Sequence, residues 1–275
     1  MRFIFKTNYA QDINMTRHSG DRFWYGLLIL IMVAMPFFID DFYLGEISYI
    51  CILAIAGIGL MILTGYTGLA SLGHAAFLGV GAYTQAFLLT HGVPIYLSIP
   101  IVIVVSFIVG AAIGIPILRL AGMYLAIATL ALCFIAEHIF IRWEHFTGGN
   151  RGMPVPQPEM FGLSFYDSIT FYYFCLFFLI ASMLVAINIL RSPTGRAFVS
   201  IRDSEIAAQS LGVNLGMYKA LSFAISGAFT GLAGALLAHY IGYLAPDIFN
   251  IFLSLTLLLL IVVGGMGSLH GTISV

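Results

Sequence analysis

Ile47-Ser-Tyr-Ile-Cys-Ile-Leu-Ala-Ile-Ala-Gly-Ile-Gly-Leu-Met-Ile-Leu-Thr64 runs directly into Gly65-Tyr-Thr-Gly-Leu-Ala-Ser-Leu-Gly-His74, and no ionised side chain other than histidine follows until Arg119. The interval 47–118 is 72 residues without Asp, Glu, Lys or Arg. A membrane-crossing helix needs about 20 mainly apolar residues at about 1.5 Å each. The run therefore holds about three passes, split near 65–73 and at 91–94. Membrane β-strands are about 9–11 residues long and alternate in polarity, so continuous apolar runs of this length are helical. The prediction is an all-α, polytopic transmembrane helix bundle.

Further apolar runs at 23–39, 123–141, 168–190, 220–243 and 248–263 bring the expected total to about eight spans. Hydrophobic residues make up 61% of the chain and charged residues 8%, against about 25% charged in soluble domains. That excludes a soluble enzyme domain, and 11 Lys+Arg against 12 Asp+Glu leaves no basic surface for nucleic acid. Cys51, Cys133 and Cys175 lie in apolar runs without metal-ligand spacing, so they read as inert packing residues, with no metal and no cofactor expected.

Loop charges set the orientation. A cytoplasmic N-terminus places 1–22, 65–75, 119–122 and 191–219 inside, with nine of the eleven Lys and Arg; only Arg142 and Arg151 fall outside. The tail 1–22 precedes an apolar stretch with no small-residue cleavage site, and is expected to stay on the cytoplasmic side of a retained first helix. The remainder, 23–275, reads as one transmembrane domain with an external loop 142–167 and a cytoplasmic loop 191–219.

Inside the spans, Gly110 with Gly114, Gly227 with Gly231 and Gly234, and Gly57 with Gly59 place small residues where helix backbones approach closely. The stretch 65–74 is different. Three glycines crowd with Thr64, Thr67, Ser71 and His74 at membrane depth, as in a broken or re-entrant helix beside a hydrated path. The same residues also fit a short cytoplasmic turn. Gly264-Gly-Met-Gly-Ser-Leu-His-Gly271 echoes them weakly. Glu137 and His138 form the one ionisable pair within a span, but Arg142 is only about 7 Å along the axis, which favours local pairing at the outer interface. The external Thr147-Gly-Gly-Asn-Arg-Gly152 and Pro154, Pro156 and Pro158 fit either a docking surface or a solvated connector.

The loop 191–219 is the longest charged interior segment. Ser192-Pro193 opens one helix, and Asp203 or Ser204 caps a second through Glu205, Ala207 and Ala208 to a stop at Gly212. With Ile206 and Leu211 on one face and only about two turns, it needs a partner to pack against.

Glu205-Ile-Ala-Ala-Gln-Ser-Leu-Gly212 resembles the Glu-Ala-Ala loop of ABC importer permeases. Together with Gly65-Tyr-Thr-Gly-Leu-Ala-Ser-Leu-Gly-His-Ala-Ala-Phe77, Leu118-Arg-Leu-Ala-Gly-Met-Tyr-Leu-Ala-Ile127, Thr147-Gly-Gly-Asn-Arg-Gly152, Arg202-Asp-Ser-Glu-Ile-Ala-Ala208 and Gly264-Gly-Met-Gly-Ser268, it resembles the permease subunits of high-affinity branched-chain amino acid ABC importers over residues 24–275. The resemblance implies a transport subunit, not an enzyme, in the bacterial inner membrane. It implies a second permease subunit, two ATP-binding subunits and an external substrate-binding protein as partners. It places Arg202, Asp203, Glu205, Ala207, Ala208, Leu211 and Gly212 at the coupling surface, and family members continue past the Gly-Gly-x-Gly-Ser motif, so a C-terminal truncation at Val275 is expected.

No Gly-x-x-x-x-Gly-Lys-[Ser/Thr] loop is present, so ATP chemistry would come from a partner. The expected substrate path is lined by Thr64, Gly65, Ser71, Gly73 and His74, with Thr129, where broken-helix dipoles can meet the charged ends of leucine, isoleucine or valine. External docking is assigned to Thr147, Gly148, Gly149 and Arg151. The rivals are the same architecture carrying urea, short amides or other amino acids, and a standalone carrier or channel using Glu137 and His138.

Overall fold

The computed structural model describes residues 30–117, 122–156, 159–160, 163–164 and 167–265. The architecture is all-α. A helical stretch at 30–34 passes through a 3-10 turn, Met35–Phe37, into α1 (Asp41–Met61). Then follow α2 (His74–Thr90), α3 (Ile95–Ile117), α4 (Met123–Arg142), α5 (Ser168–Arg191), α6 (Pro193–Asp203), α7 (Glu205–Ser210), α8 (Leu215–Ile241) and α9 (Ile251–Gly264). Two-residue strands β1 (Met153–Pro154) and β4 (Tyr243–Leu244) pair antiparallel, as do β2 (Glu159–Met160) and β3 (Leu163–Ser164).

Among the described residues five helical segments are long and apolar enough to cross a membrane: Asp41–Tyr66, Ile95–Pro116, Met123–Arg142, Ser168–Arg191 and Leu215–Ile241. The chain is therefore a multi-pass membrane protein. Of the eight expected passes, the first, 23–39, lies partly outside the described residues, which begin at 30. Two others are shorter than a full crossing: α2 has 17 residues and α9 has 14. The α2 segment starts late because 67–73 is irregular, so only the part after Gly73 is helix.

The bundle is built around α8, which packs against α1, α2 and α3. In the most apolar stretch of α8, 83% of residues are buried, and in that of α1 78%, against 22% in α4. Lipid accepts apolar faces as readily as the bundle interior does, so the central place falls to the least hydropathic of the five, α8. Its small and hydroxyl residues, among them Ser222, Ser226 and Thr230, are buried between helices. The glycine spacing serves this packing. Gly110 lies where any Cβ would come within 2.6 Å of the Phe223 carbonyl oxygen, and one at Gly81 within 2.6 Å of Gly231 Cα. Backbones that close give the dispersion contact that lipid cannot supply as a hydrophobic drive. On the opposite side of α3, Leu97, Ile101, Val104 and Ile108 are exposed at helical spacing, which is the lipid-facing stripe.

Helix boundaries follow their caps. Ser204, rather than Asp203, caps α7, its side chain accepting from the Ala207 N–H at 3.3 Å. The start of α8 comes several residues before hydropathy places it. Asn214 caps it by accepting from the Met217 N–H at 3.1 Å, which draws Lys219, predicted to be loop, into the helix.

Candidate functional site: a broken helix and the loop beneath it

The end of α1 widens into a π turn, Ile62–Tyr66, with the Thr67 N–H donating to the Ile62 carbonyl at 3.2 Å. Such a turn leaves a helix ready to stop, and here it does. Thr64 donates to the Leu69 carbonyl at 3.3 Å, Thr67 to Ile62 at 3.0 Å, and Gly68 takes a left-handed φ of 75° to turn the chain back. The segment 65–74 is thus a break between two helices, closed by its own hydroxyls.

At the far end of the break sits a buried polar knot. His74, the first residue of α2, has Nδ1 3.1 Å from Ser71 Oγ and Nε2 2.7 Å from Ser226 Oγ on α8. A neutral imidazole has one donor and one acceptor nitrogen, so one serine donates to it and the other accepts. Thr129 of α4 accepts from the Leu72 N–H at 2.9 Å and donates to the Ala126 carbonyl at 3.0 Å. Gly73 is pressed against the Thr129 carbonyl, leaving no room for a Cβ. The Ala75 N–H, one of the first-turn donors that a helix start leaves unpaired, is taken up by Ser254 of α9 at 2.8 Å. Ser71, His74, Thr129, Ser226 and Ser254 are all buried.

Among the residues predicted to line a path, Ser71, Gly73, His74 and Thr129 are therefore brought together. Thr64 and Gly65 lie at the other end of the break, next to the loop 191–219. Sequence reasoning missed Ser226 and Ser254; their only signal is an isolated serine in an apolar helix.

The loop beneath is a short platform. Arg202 at the end of α6 donates from Nη1 to the Gly65 carbonyl at 3.1 Å and pairs with Asp203 at 3.1 Å. In α7, Ala208 is buried and Glu205 turns inward, its Oε2 2.7 Å from Lys219 Nζ. Ala207 is exposed. Ile206 and Leu211 point away from the bundle at 84% and 82% exposure, and Gly212 closes the turn with a φ of 87°. A two-turn helix with its anchors inward and its large apolar residues outward is built to be covered.

On the opposite side of the bundle, the Thr147 hydroxyl donates to the carbonyls of Phe140 (2.6 Å) and Trp143 (2.9 Å) and accepts from the Gly149 N–H (3.1 Å). Gly148 and Gly149 both have left-handed φ. The β1–β4 pairing and a hydrogen bond from the Tyr243 hydroxyl to the Arg151 carbonyl latch this turn to the end of α8. Thr147 and Gly149 are buried, so of the predicted docking residues Arg151 is the fully exposed one. His138 lies with Phe134, Ile135, Ile139 and Arg142 along a shallow groove on the exposed side of α4, one turn from its end.

The architecture is thus a multi-pass helical bundle with a broken helix over a short, uncovered loop helix. Residues 42–275 match the family described as branched-chain amino acid transport system / permease component, and the chain belongs to that family. It is 36% identical over 267 residues to the high-affinity branched-chain amino acid transport system permease protein LivM of Salmonella typhimurium, covering 88% of this chain and 63% of that protein. Identity to the LivM of Escherichia coli is 35% over the same coverage. It is also 26% identical over 148 residues to the autoinducer 2 import system permease protein LsrC of Salmonella typhi, covering 53% of this chain and 41% of that protein. The chain thus spans 63% of the length of the LivM proteins it matches. No solved structure matches.

Proposed function

We propose that the chain is a permease subunit of an ABC importer that moves leucine, isoleucine or valine inward across the bacterial inner membrane. It has about eight passes with its N-terminus in the cytoplasm. Its partners are a second permease subunit, two ATP-binding subunits and an external substrate-binding protein. The observation that carries the reading is α7, which presents Ile206 and Leu211 to water from a helix anchored by Glu205 and Arg202. Closure of the ATP-binding pair displaces α7, and the helices rock about the knot at Ser71, His74 and Thr129. The amide end of α2 at His74 is a positive dipole end suited to a substrate carboxylate, and the apolar walls of the bundle suit a branched aliphatic side chain. The exposed Arg151 on its latched turn is the external contact.

Co-purification of the chain with its ATP-binding subunits, beside a Gly212→Pro variant, tests the reading. Capture by the native chain and not by the variant supports it. No capture with all subunits expressed refutes it, and ATP-free uptake in liposomes would then favour the carrier that uses Glu137 and His138. The similarity to LsrC supports a second reading, the same machine with another cargo, such as urea, short amides or other amino acids. Uptake assays with competing substrates separate the two.

A further inference from the structure

Lys219 is the only Asp, Glu, Lys or Arg between Glu205 and Asp247. Its side chain is 6% exposed, and its partner Glu205 belongs to α7 rather than to its own helix. A buried ammonium holds the partner that neutralises it, so this pair fixes where α7 sits against α8. Ser226 lies seven residues further along α8, two turns and about 10 Å away on the same face. Its hydroxyl is 2.7 Å from His74 Nε2. A second joint lies alongside: the Arg202 guanidinium holds the Gly65 carbonyl, and the Arg202 Cγ packs where a Cβ on Gly68 would be 3.0 Å away.

We propose that Lys219 is a positioning residue that joins α7 to α8 and, with the bond from Arg202 to Gly65, forms a two-armed linkage from the cytoplasmic platform to the Ser71–His74–Ser226 knot. The proposal rests on the importer reading for what moves α7, while the linkage itself is a property of this chain. One arm runs along α8, which carries Ser226 rigidly. The other runs through 65–68 into the break that ends at Ser71 and His74. Both arms meet at the imidazole, so a shift of α7 relative to the bundle changes its two bonds together. Lys219 is buried and acts through Glu205 and α8.

The test uses the full chain in lipid nanodiscs, where both faces are open, and a membrane-impermeant maleimide as probe. The native cysteines are buried. Cysteine is placed either at Ala208, on the buried face of α7, or at Leu69, buried in the break. Lys219→Met is expected to raise labelling about tenfold at both positions, as local opening replaces a fixed joint. The exchanged pair Lys219→Glu with Glu205→Lys is expected to restore native rates. Faster labelling at Ala208→Cys alone, or at neither position, overturns the linkage. Should Lys219→Met fail to yield monodisperse protein, the exchanged pair decides: native rates support the linkage and fast rates at either position overturn it. Importer function is read separately. With ATP-binding subunits present, uptake per ATP hydrolysed falls in Lys219→Met, whereas failure of the native chain to capture those subunits refutes the importer and leaves the labelling result standing.

Discussion

The knot at Ser71, His74 and Ser226 and the platform at α7 break opposite rules. The knot puts polar side chains in the middle of an apolar bundle, while the platform puts large apolar side chains in water. The knot satisfies itself: both ring nitrogens of His74, the Ser71 and Thr129 hydroxyls and the Ala75 N–H have partners within the chain. Among the described residues nothing covers Ile206 and Leu211. A buried polar group with its partners present is a fixed element whose value lies in geometry, and an uncovered apolar helix is an unfinished interface. The first region should therefore punish mutation through stability, and the second through binding.

The sharpest break of that comparison uses one residue type in both regions. Gly73→Val, in the knot, would drive a side chain into the Thr129 carbonyl of α4. Two helices must separate, and a loss above about 4 kcal/mol is expected, seen as loss of monodisperse protein. Gly212→Val meets nothing within 4 Å. Its cost is that of a β-branched residue at positive φ, about 1–2 kcal/mol, and the fold survives. Comparable thermal transitions for the two variants would erase the distinction between the regions.

Next in size is His74→Ala. It leaves Ser71 and Ser226 without their shared partner and opens a void at the meeting point of α2 and α8. The expected loss is about 2–4 kcal/mol, with uptake abolished and capture of ATP-binding subunits retained. Glu205→Ala should cost less, about 1–2 kcal/mol, because its carboxylate is 43% exposed and partly screened. That loss should still exceed the loss from Lys219→Met, which removes the buried charge itself. The reverse order in a thermal-shift measurement would show that the pair is not the anchor of α7.

The bundle was legible in the sequence because a bilayer span demands a long uncharged run, and 47–118 can be read no other way. The α7 platform was legible for a similar local reason: Ser204, Glu205 and Gly212 are cap, first-turn acid and stop, all within a few residues. The late start of α2 was legible too, because glycines and hydroxyls split the apolar run at 65–73; the bonds that close the break were not, Thr64 and Thr67 donating to the carbonyls of Leu69 and Ile62. The knot was half legible. Ser71 and His74 stood out beside glycines, but Ser226 and Ser254 come from helices 152 and 179 positions on from the groups they bond, a tertiary fact that no local pattern carries. The direction of Glu205 was hidden likewise. Its carboxylate reads as a surface charge until the single lysine of α8 is seen beneath it.

The smallest expected effect on stability is also the most informative about binding. Ile206→Ser with Leu211→Ser removes two side chains that touch water already, so the free chain should change by less than about 0.5 kcal/mol. If an ATP-binding subunit covers α7, each side chain contributes about 1.5–3 kcal/mol of apolar burial to the complex. Together they account for about 3–6 kcal/mol, a weakening of roughly two to four orders of magnitude in affinity. Titration of the solubilised chain with its ATP-binding subunits measures this directly. Unchanged affinity would place the partner elsewhere on the loop and leave the exposed pair unexplained. A large loss of thermal stability in the free chain would instead mean that α7 is packed from within, and the contrast between a self-satisfied knot and an unfinished surface would fail at its second half.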